Sequence, residues 1–127
     1  MTRRHCLTLD LKNDPALIAA YKQHHESVWP GVIESLRASG ILQAELYLRG
    51  TRLVMILDVS AEFSFEGKAS KDLADPIVQE WERLMWTFQQ ALPDAPAGEK
   101  WQPMERIFAV EFPAGPLPPP ITATSPR

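Results

Sequence analysis

Two Asp-Pro pairs constrain the fold of this chain more than any other feature of its sequence. Asp14-Pro15 and Asp75-Pro76 each place a carboxylate at a helix N-cap and a proline at the first helical position, where its missing N–H costs nothing. Each pair therefore predicts the start of a helix. The segments around these starts alternate apolar and polar residues with the period of a β-strand. The chain is consequently expected to combine helices and strands in one α+β domain.

The strand pattern occurs in several places along the chain. In the first strand, Leu7, Leu9 and Leu11 alternate with more polar residues. Two further runs flank the short turn 49–51 and predict a β-hairpin whose second arm lies inside a sheet. The predicted strands are 6–11, 42–48, 53–57 and 104–112.

Apolar residues at helical spacing predict the remaining elements. Two consecutive helices are expected to meet near Trp29, because Pro30 disfavours the α conformation in the residue before it. Gly40 follows the second helix as its C′ residue. The last helix begins at Pro76, ends at Pro93 and turns Ile77, Trp81, Leu84, Met85 and Phe88 toward the core. The predicted helices are 15–26, 30–38, a short one within 61–74, and the one that begins at Pro76.

This order, β-α-β-β-α-β, is that of the ferredoxin-like split βαβ fold, with one antiparallel sheet and helices on one face. The other face mixes apolar and polar groups, which suits a pocket or a second copy of the chain and predicts a homodimer. We expect one domain over 1–112 and a disordered or polyproline tail over 113–127. The expected open face carries Cys6, Thr8, Asp10, Gln43, Glu45, Tyr47, Val54, Ile56 and Asp58.

Charge and cysteine content exclude several functional classes. Thirteen Lys and Arg against sixteen Asp and Glu give a net charge of −3, which argues against nucleic-acid and membrane-surface binding. The single cysteine, Cys6, excludes an intramolecular disulfide and multi-cysteine zinc sites. Because neither a signal peptide nor a membrane span is recognisable, a cytoplasmic location is expected. Phosphate-binding loops and nucleophile elbows are also missing from the sequence.

One histidine is a candidate for proton transfer. Tyr21 and His25 lie four residues apart and share a helix face. Since Pro30 forces the chain to turn just beyond His25, the imidazole can point into a cavity. Its ordinary pKa of about 6.5 suits proton transfer near neutrality. A solvated histidine at a helix end is the alternative. His24 points about 100° away around the helix and is expected at the surface.

Aromatic side chains and carboxylates complete the candidate site. The apolar faces of sugars stack on aromatic rings, so a small polyol pocket would suit the set Tyr21, His25, Trp29, Trp81 and Trp101. Trp86 is assigned to the core, and core tryptophans throughout are the alternative. Carboxylates that could partner a histidine or bind hydroxyls are Glu45, Glu82 and Glu105, with solvation as the alternative for each.

The segment Tyr21-Lys22-Gln23-His24-His25-Glu26-Ser27-Val28-Trp29-Pro30 resembles the L-rhamnose mutarotase family, whose pattern is Tyr, three residues, His, two residues, an aliphatic residue and Trp-Pro. The resemblance covers 3–112 and includes Gly40, Trp81 and the run 104–108. It implies a dimeric α/β-barrel of two ferredoxin-like subunits that uses no cofactor. It also implies an enzyme that interconverts the α and β anomers of a 6-deoxy sugar.

The resemblance assigns roles to individual residues. It makes His25 the catalytic acid/base and Tyr21 a sugar ligand, and it places the first tryptophan of the family's last helix at Trp81. Family members acting on L-rhamnose carry a tyrosine and a second tryptophan where this chain has Ala44 and Glu82.

The opening Leu-Asp-Leu-Lys and the loop Gly98 to Trp101 resemble a branch that acts on L-fucose. We therefore expect L-fucose or L-rhamnose as substrate. The alternatives are a dimeric α/β-barrel monooxygenase or isomerase, and a non-catalytic sugar-binding or assembly module. The predicted site comprises catalytic His25 and the substrate ligands Tyr21, Trp29, Trp81, Glu82, Trp101 and Glu105.

Overall fold

One antiparallel sheet and four α-helices form the part of the chain that the computed structural model describes, residues 3–113. The predicted tail lies outside these residues, except for Pro113. In chain order the elements are β1 (Arg3–Leu11), α1 (Pro15–His24), α2 (Pro30–Ala38), β2 (Ile41–Arg49), β3 (Arg52–Val59), α3 (Phe65–Leu73), α4 (Pro76–Trp86), β4 (Gln89–Gln90) and β5 (Gln102–Pro103).

Both Asp-Pro pairs begin helices as predicted. The Asp14 carboxylate accepts hydrogen bonds from the backbone N–H groups of Ala16 and Leu17, at 2.9 and 3.3 Å. Asp75 accepts equivalent bonds from the first turn of α4. Each carboxylate thus satisfies N–H groups that have no partner within the helix.

The strands lie in the order β2-β3-β1, and β1 has two short partners on its far edge. Because β3 occupies one edge of β1, β4 pairs with the other edge at Leu11 and β5 pairs with it at Leu7. The loop 91–101 leaves the sheet between these two pairings and returns to it. This return brings Trp101 to the sheet directly before β5.

The helices cover one face of the sheet, which confirms the predicted ferredoxin-like α+β arrangement. Leu9, Leu53 and Val59 are almost fully buried beneath them. On the opposite face the strand register aligns Cys6 with Ile56, and Ile56 with Glu45. The alternation of the strands therefore divides the sheet into a covered face and an open face, as the sequence predicts.

The predicted last strand over 104–112 is wrong. Pairing with β1 ends where the Met104 N–H donates to the Cys6 carbonyl at 2.8 Å, and the following residues form no regular structure. Ile107 and Phe108 are 88% and 77% exposed. An alternating apolar pattern indicates side chains that are buried on one face. A strand forms only where a partner strand supplies backbone hydrogen bonds, and this segment meets none within the described chain.

Three expectations for the last helix are also wrong. The helix ends at Trp86, because Thr87 caps it and Phe88 is buried in the core before β4. Pro93, the predicted end, lies seven residues beyond the last helical residue. Trp86 is 37% exposed, so it lies at the surface and not in the core. Ile77 is exposed in the first turn, and its neighbour Val78 is buried in its place. Among the described helices, none is long and apolar enough to cross a bilayer.

Candidate active site

A cavity of about 340 Å³ lies between the helices and the covered face of the sheet, and we call it the site cavity. Helix α1 contributes Tyr21 in its last turn and His25 at its C-cap, and β3 contributes Met55 from the sheet. Residues predicted for the site and found in the lining are Tyr21, His25, Trp81, Glu82 and Trp101.

The imidazole of His25 is held in one tautomer. Its Nδ1 atom lies 2.8 Å from the backbone carbonyl oxygen of Tyr21, one helical turn earlier. Because a carbonyl only accepts, Nδ1 carries the hydrogen and Nε2 of the neutral ring keeps its lone pair. Burial lowers the pKa of His25 more than the Tyr21 carbonyl raises it. The ring is therefore neutral at pH 7 and able to accept a proton.

Aromatic rings surround this histidine. The His25 ring centroid lies 4.5 Å from that of Tyr21 and 5.6 Å from that of Trp81, which packs edge-to-face on it. Trp29, at the break between α1 and α2, meets Trp81 at 5.1 Å and supports it from behind. Trp29 is not in the lining itself. Of the predicted aromatic residues, Tyr21, Trp81 and Trp101 line the cavity, and Trp29 packs behind Trp81.

Tyr21 is fixed by a residue that the sequence analysis missed. The Gln89 side-chain amide donates to the Tyr21 hydroxyl oxygen at 3.3 Å. Gln89 is only 4% exposed and lines the cavity, and within residues 3–113 its Oε1 has no hydrogen-bond partner. Burial raises the pKa of Tyr21. The phenol stays protonated, and its O–H hydrogen remains available to a ligand.

A second missed residue holds Glu82 and the loop 91–101. Lys100 Nζ lies 3.1 Å from Glu82 Oε2 and 4.9 Å from the centre of the Trp86 ring. These contacts attach the loop to α4 and place Trp101 in the wall of the cavity. The one signal in the sequence was the position of Lys100 directly before Trp101.

Other candidate residues lie elsewhere. Glu105 is exposed and is not in the lining, and the side chain of Glu45 lies on the open face of β2, the edge strand that borders the cavity. His24 is half-buried against Phe88, at 5.4 Å between rings, and not at the surface as expected. His5 packs on Phe65 far along the sheet. Within residues 3–113, His, Cys, Asp and Glu side chains form no cluster able to hold a metal ion.

Fold and site together define a class: a ferredoxin-like domain whose helix-covered cavity combines a neutral histidine with aromatic walls. Two solved structures share the fold. An L-rhamnose mutarotase from Formosa agariphila matches 86% of this chain and 99% of its own at 22% identity and a TM-score of 0.63. The tetracenomycin F2 cyclase from Streptomyces glaucescens, a type-II polyketide cyclase, matches 87% and 99% at 14% identity and a TM-score of 0.55.

The sequence comparisons identify the family. The L-rhamnose mutarotase family model matches residues 4–110. An L-fucose mutarotase from Xanthomonas campestris is 46% identical over 85% of this chain and 88% of its own length. A UPF0734 protein from Dictyostelium discoideum is 37% identical over 82% and 86%. The chain belongs to the L-rhamnose mutarotase family and is an enzyme of the carbohydrate isomerase type.

Proposed function

We propose that this enzyme interconverts the α and β anomers of L-fucose and that His25 moves the proton. The observation that carries the proposal is the unprotonated Nε2 of a neutral, half-buried His25 in an aromatic-walled cavity. The family accounts for the reaction type. The 46% identical L-fucose mutarotase favours L-fucose, and L-rhamnose is the other candidate sugar.

The chemistry requires one proton to leave the sugar and one to return. His25 Nε2 takes the proton of the anomeric hydroxyl, a water molecule or a protonated carboxyl group in the cavity gives a proton to the ring oxygen, and the bond between the anomeric carbon and the ring oxygen breaks. The resulting aldehyde rotates, and the former ring oxygen attacks its other face. The protons then move back. The oxidation state of the sugar is unchanged, so a general acid/base pair is sufficient.

Other cavity residues orient the sugar in this proposal. The Tyr21 O–H donates to a sugar oxygen, since the Gln89 amide already occupies its acceptor side. Trp81 and Trp101 offer faces to the apolar side of the ring, and Glu82 accepts a hydroxyl hydrogen while paired with Lys100. Trp29 acts through Trp81, and Glu105 stays a prediction that this cavity does not support.

We also propose that the working unit is a homodimer in the cytoplasm. The open sheet face exposes Tyr47, and the segment 104–112 exposes Ile107, Phe108 and Phe112. Exposed apolar side chains of this size favour a surface that a second copy covers. Sedimentation at micromolar concentration should show a species of twice the chain mass. A species of single-chain mass alone would contradict the dimer.

Exchange NMR on the anomeric protons tests the function directly. We expect the protein to accelerate exchange between the two anomers of L-fucose well above the rate in buffer, with L-rhamnose as the comparison sugar. A binding or assembly module would leave the exchange rate of both sugars unchanged. A monooxygenase would consume a substrate and produce an oxidised compound, which the same spectra would reveal.

A further inference from the structure

We propose that Lys68 and Asp72, both on α3, form a second recognition point for the sugar and select a pair of neighbouring hydroxyl groups remote from the anomeric carbon. This inference deepens the proposed mutarotase function and rests on it. No sequence motif pointed to either residue, because the stretch 61–74 is weakly patterned in the sequence.

The pair is unusually shielded for an ion pair on a helix. Lys68 Nζ lies 2.6 Å from Asp72 Oδ2, and the two side chains are 21% and 17% exposed. The pair formed by Glu80 and Arg83 on α4, by contrast, is about two-thirds exposed on both sides. Shielding from water strengthens any hydrogen bond that these charges offer to a ligand.

Asp72 is held from both neighbouring helices. Its Oδ1 accepts a hydrogen bond from Ser35 Oγ on α2 at 3.2 Å, and its backbone carbonyl accepts one from the Gln79 side chain on α4 at 2.8 Å. A carboxylate fixed in this way loses little conformational freedom when a ligand binds. Pre-organisation of this kind is typical of a recognition site.

The hydrogen-bonding capacity of the pair suits a vicinal diol. The ammonium group of Lys68 has three N–H donors, of which the ion pair takes one, and the two oxygens of Asp72 can accept about four hydrogen bonds. A hydroxyl group both donates and accepts. Two neighbouring hydroxyls can therefore bind a lysine and an aspartate at the same time.

The position of the pair indicates which hydroxyls it contacts. A second cavity of about 400 Å³ adjoins the site cavity, and Lys68 and Asp72 line both. Tyr21 and His25 line only the site cavity. The pair therefore lies where the two cavities meet, away from the proton-transfer end. A pyranose with its anomeric carbon at His25 would turn the hydroxyls on C3 and C4 toward it.

A purely structural role is the competing explanation, since the pair also connects α3 to α2. The two explanations differ for a double substitution. Replacing both partners of a structural ion pair by apolar residues is often neutral, whereas removing one leaves the other buried and unpaired. A structural role thus predicts that Lys68→Met/Asp72→Leu restores what the single variants lose. A recognition role predicts that the double variant is at least as impaired as either single variant.

The experiment measures anomer exchange and equilibrium binding of L-fucose by NMR for the parent, Lys68→Met, Asp72→Leu and the double variant that combines them. We expect each variant to raise the apparent KM and Kd by about tenfold to a hundredfold, the effect of losing a hydrogen bond to a charged group, with a smaller change in kcat. The matched control is Lys71→Met. Lys71 lies on the same helix and also reaches α2, at the Ala38 carbonyl, but lines neither cavity. It should behave like the parent.

Deoxy sugars provide a test that needs only the parent protein. L-fucose lacking the 3- or 4-hydroxyl should bind the parent about as weakly as L-fucose binds the variants. Parent-like Kd and KM in the double variant would overturn the inference and leave the proposed function standing if the parent still accelerates exchange. A second outcome is that the parent binds L-fucose without accelerating exchange, and that the variants lose this binding. That result would support the recognition point and contradict the proposed reaction. A parent that binds neither sugar would overturn both.

Discussion

The two ends of the site cavity differ in the charge of the side chains that line them. At the His25 end, burial lowers the pKa of the imidazole and raises the pKa of the Tyr21 phenol, so both groups are neutral near pH 7. At the other end Asp72 is paired with Lys68 at 2.6 Å, and between the two ends Glu82 is paired with Lys100 at 3.1 Å and acts on the Tyr21 phenol. The same cavity therefore contains uncharged groups at one end and matched charges at the other.

This difference separates proton transfer from recognition. A neutral imidazole with a free Nε2 can accept a proton and return it without leaving a charge behind in a partly dry cavity. Charges that neutralise each other keep their hydrogen-bonding capacity and hold substrate hydroxyls. We infer that catalysis is concentrated at the end of α1 and sugar selection at α3 and the loop 91–101.

The largest expected effect comes from His25→Ala. Losing general acid/base assistance should slow catalysed anomer exchange by about 10²- to 10⁴-fold, as measured by exchange NMR at saturating sugar. His24→Ala is the matched control, because His24 packs against Phe88 and does not line the cavity. It should keep the parent rate. Failure of His24→Ala together with an active His25→Ala would reverse the assignment.

Tyr21→Phe should have a smaller effect. The substitution keeps the ring against His25 but removes the hydroxyl that orients the sugar, so we expect a loss of about tenfold in kcat/KM. It also leaves the Gln89 amide without its acceptor, which should cost about 1–3 kcal/mol in the free energy of unfolding. Thermal and chemical denaturation would measure that cost. A loss in rate as large as that of His25→Ala would show that Tyr21 itself transfers the proton.

Gln89→Leu should distinguish site chemistry from packing. We expect kcat/KM to fall by about threefold to tenfold because the Tyr21 hydroxyl loses its partner. Stability should change little, since the substitution removes a buried Oε1 without a partner in the described chain but also leaves the buried Tyr21 hydroxyl without its donor. The exposed neighbour supplies the control, Gln90→Leu, which should leave the rate unchanged. Normal activity combined with a large loss of stability would make Gln89 purely structural.

The smallest effect is in the pH dependence of stability. The lowered pKa means that native His25 binds a proton less readily than unfolded His25. The neutral His25 ring therefore makes its full contribution to the free energy of unfolding above about pH 6.5. That contribution is lost as the pH falls through the native pKa. Denaturation of the parent and of His25→Ala between pH 7 and pH 5 should therefore show a steeper decline for the parent. Equal declines would mean that His25 is not desolvated.

The contacts predicted correctly were those that follow from local geometry. Tyr21 and His25 lie one helical turn apart, so their proximity follows from the helix alone. Asp14 and Asp75 likewise determine their helix starts through contacts two and three residues away.

The contacts that the sequence did not predict are long-range contacts, which form only when distant segments of the chain pair in the sheet. Gln89 meets Tyr21 only because β4 pairs with the end of β1, and Lys100 meets Glu82 only because the loop 91–101 returns to the sheet. Such contacts depend on topology, and sequence periodicity does not indicate them. The incorrect strand over 104–112 has the same origin, since its apolar pattern specified no partner.

The central claim is that Nε2 of His25 is the unprotonated base at neutral pH. Nitrogen-15 NMR of the His25 ring, titrated alongside kcat/KM for L-fucose exchange, measures this directly. We predict hydrogen on Nδ1, a titration midpoint below the ordinary value of about 6.5, and loss of kcat/KM through that same midpoint as the pH falls. A ring that is charged at pH 7, carries its hydrogen on Nε2, or titrates away from the fall in activity would contradict the account.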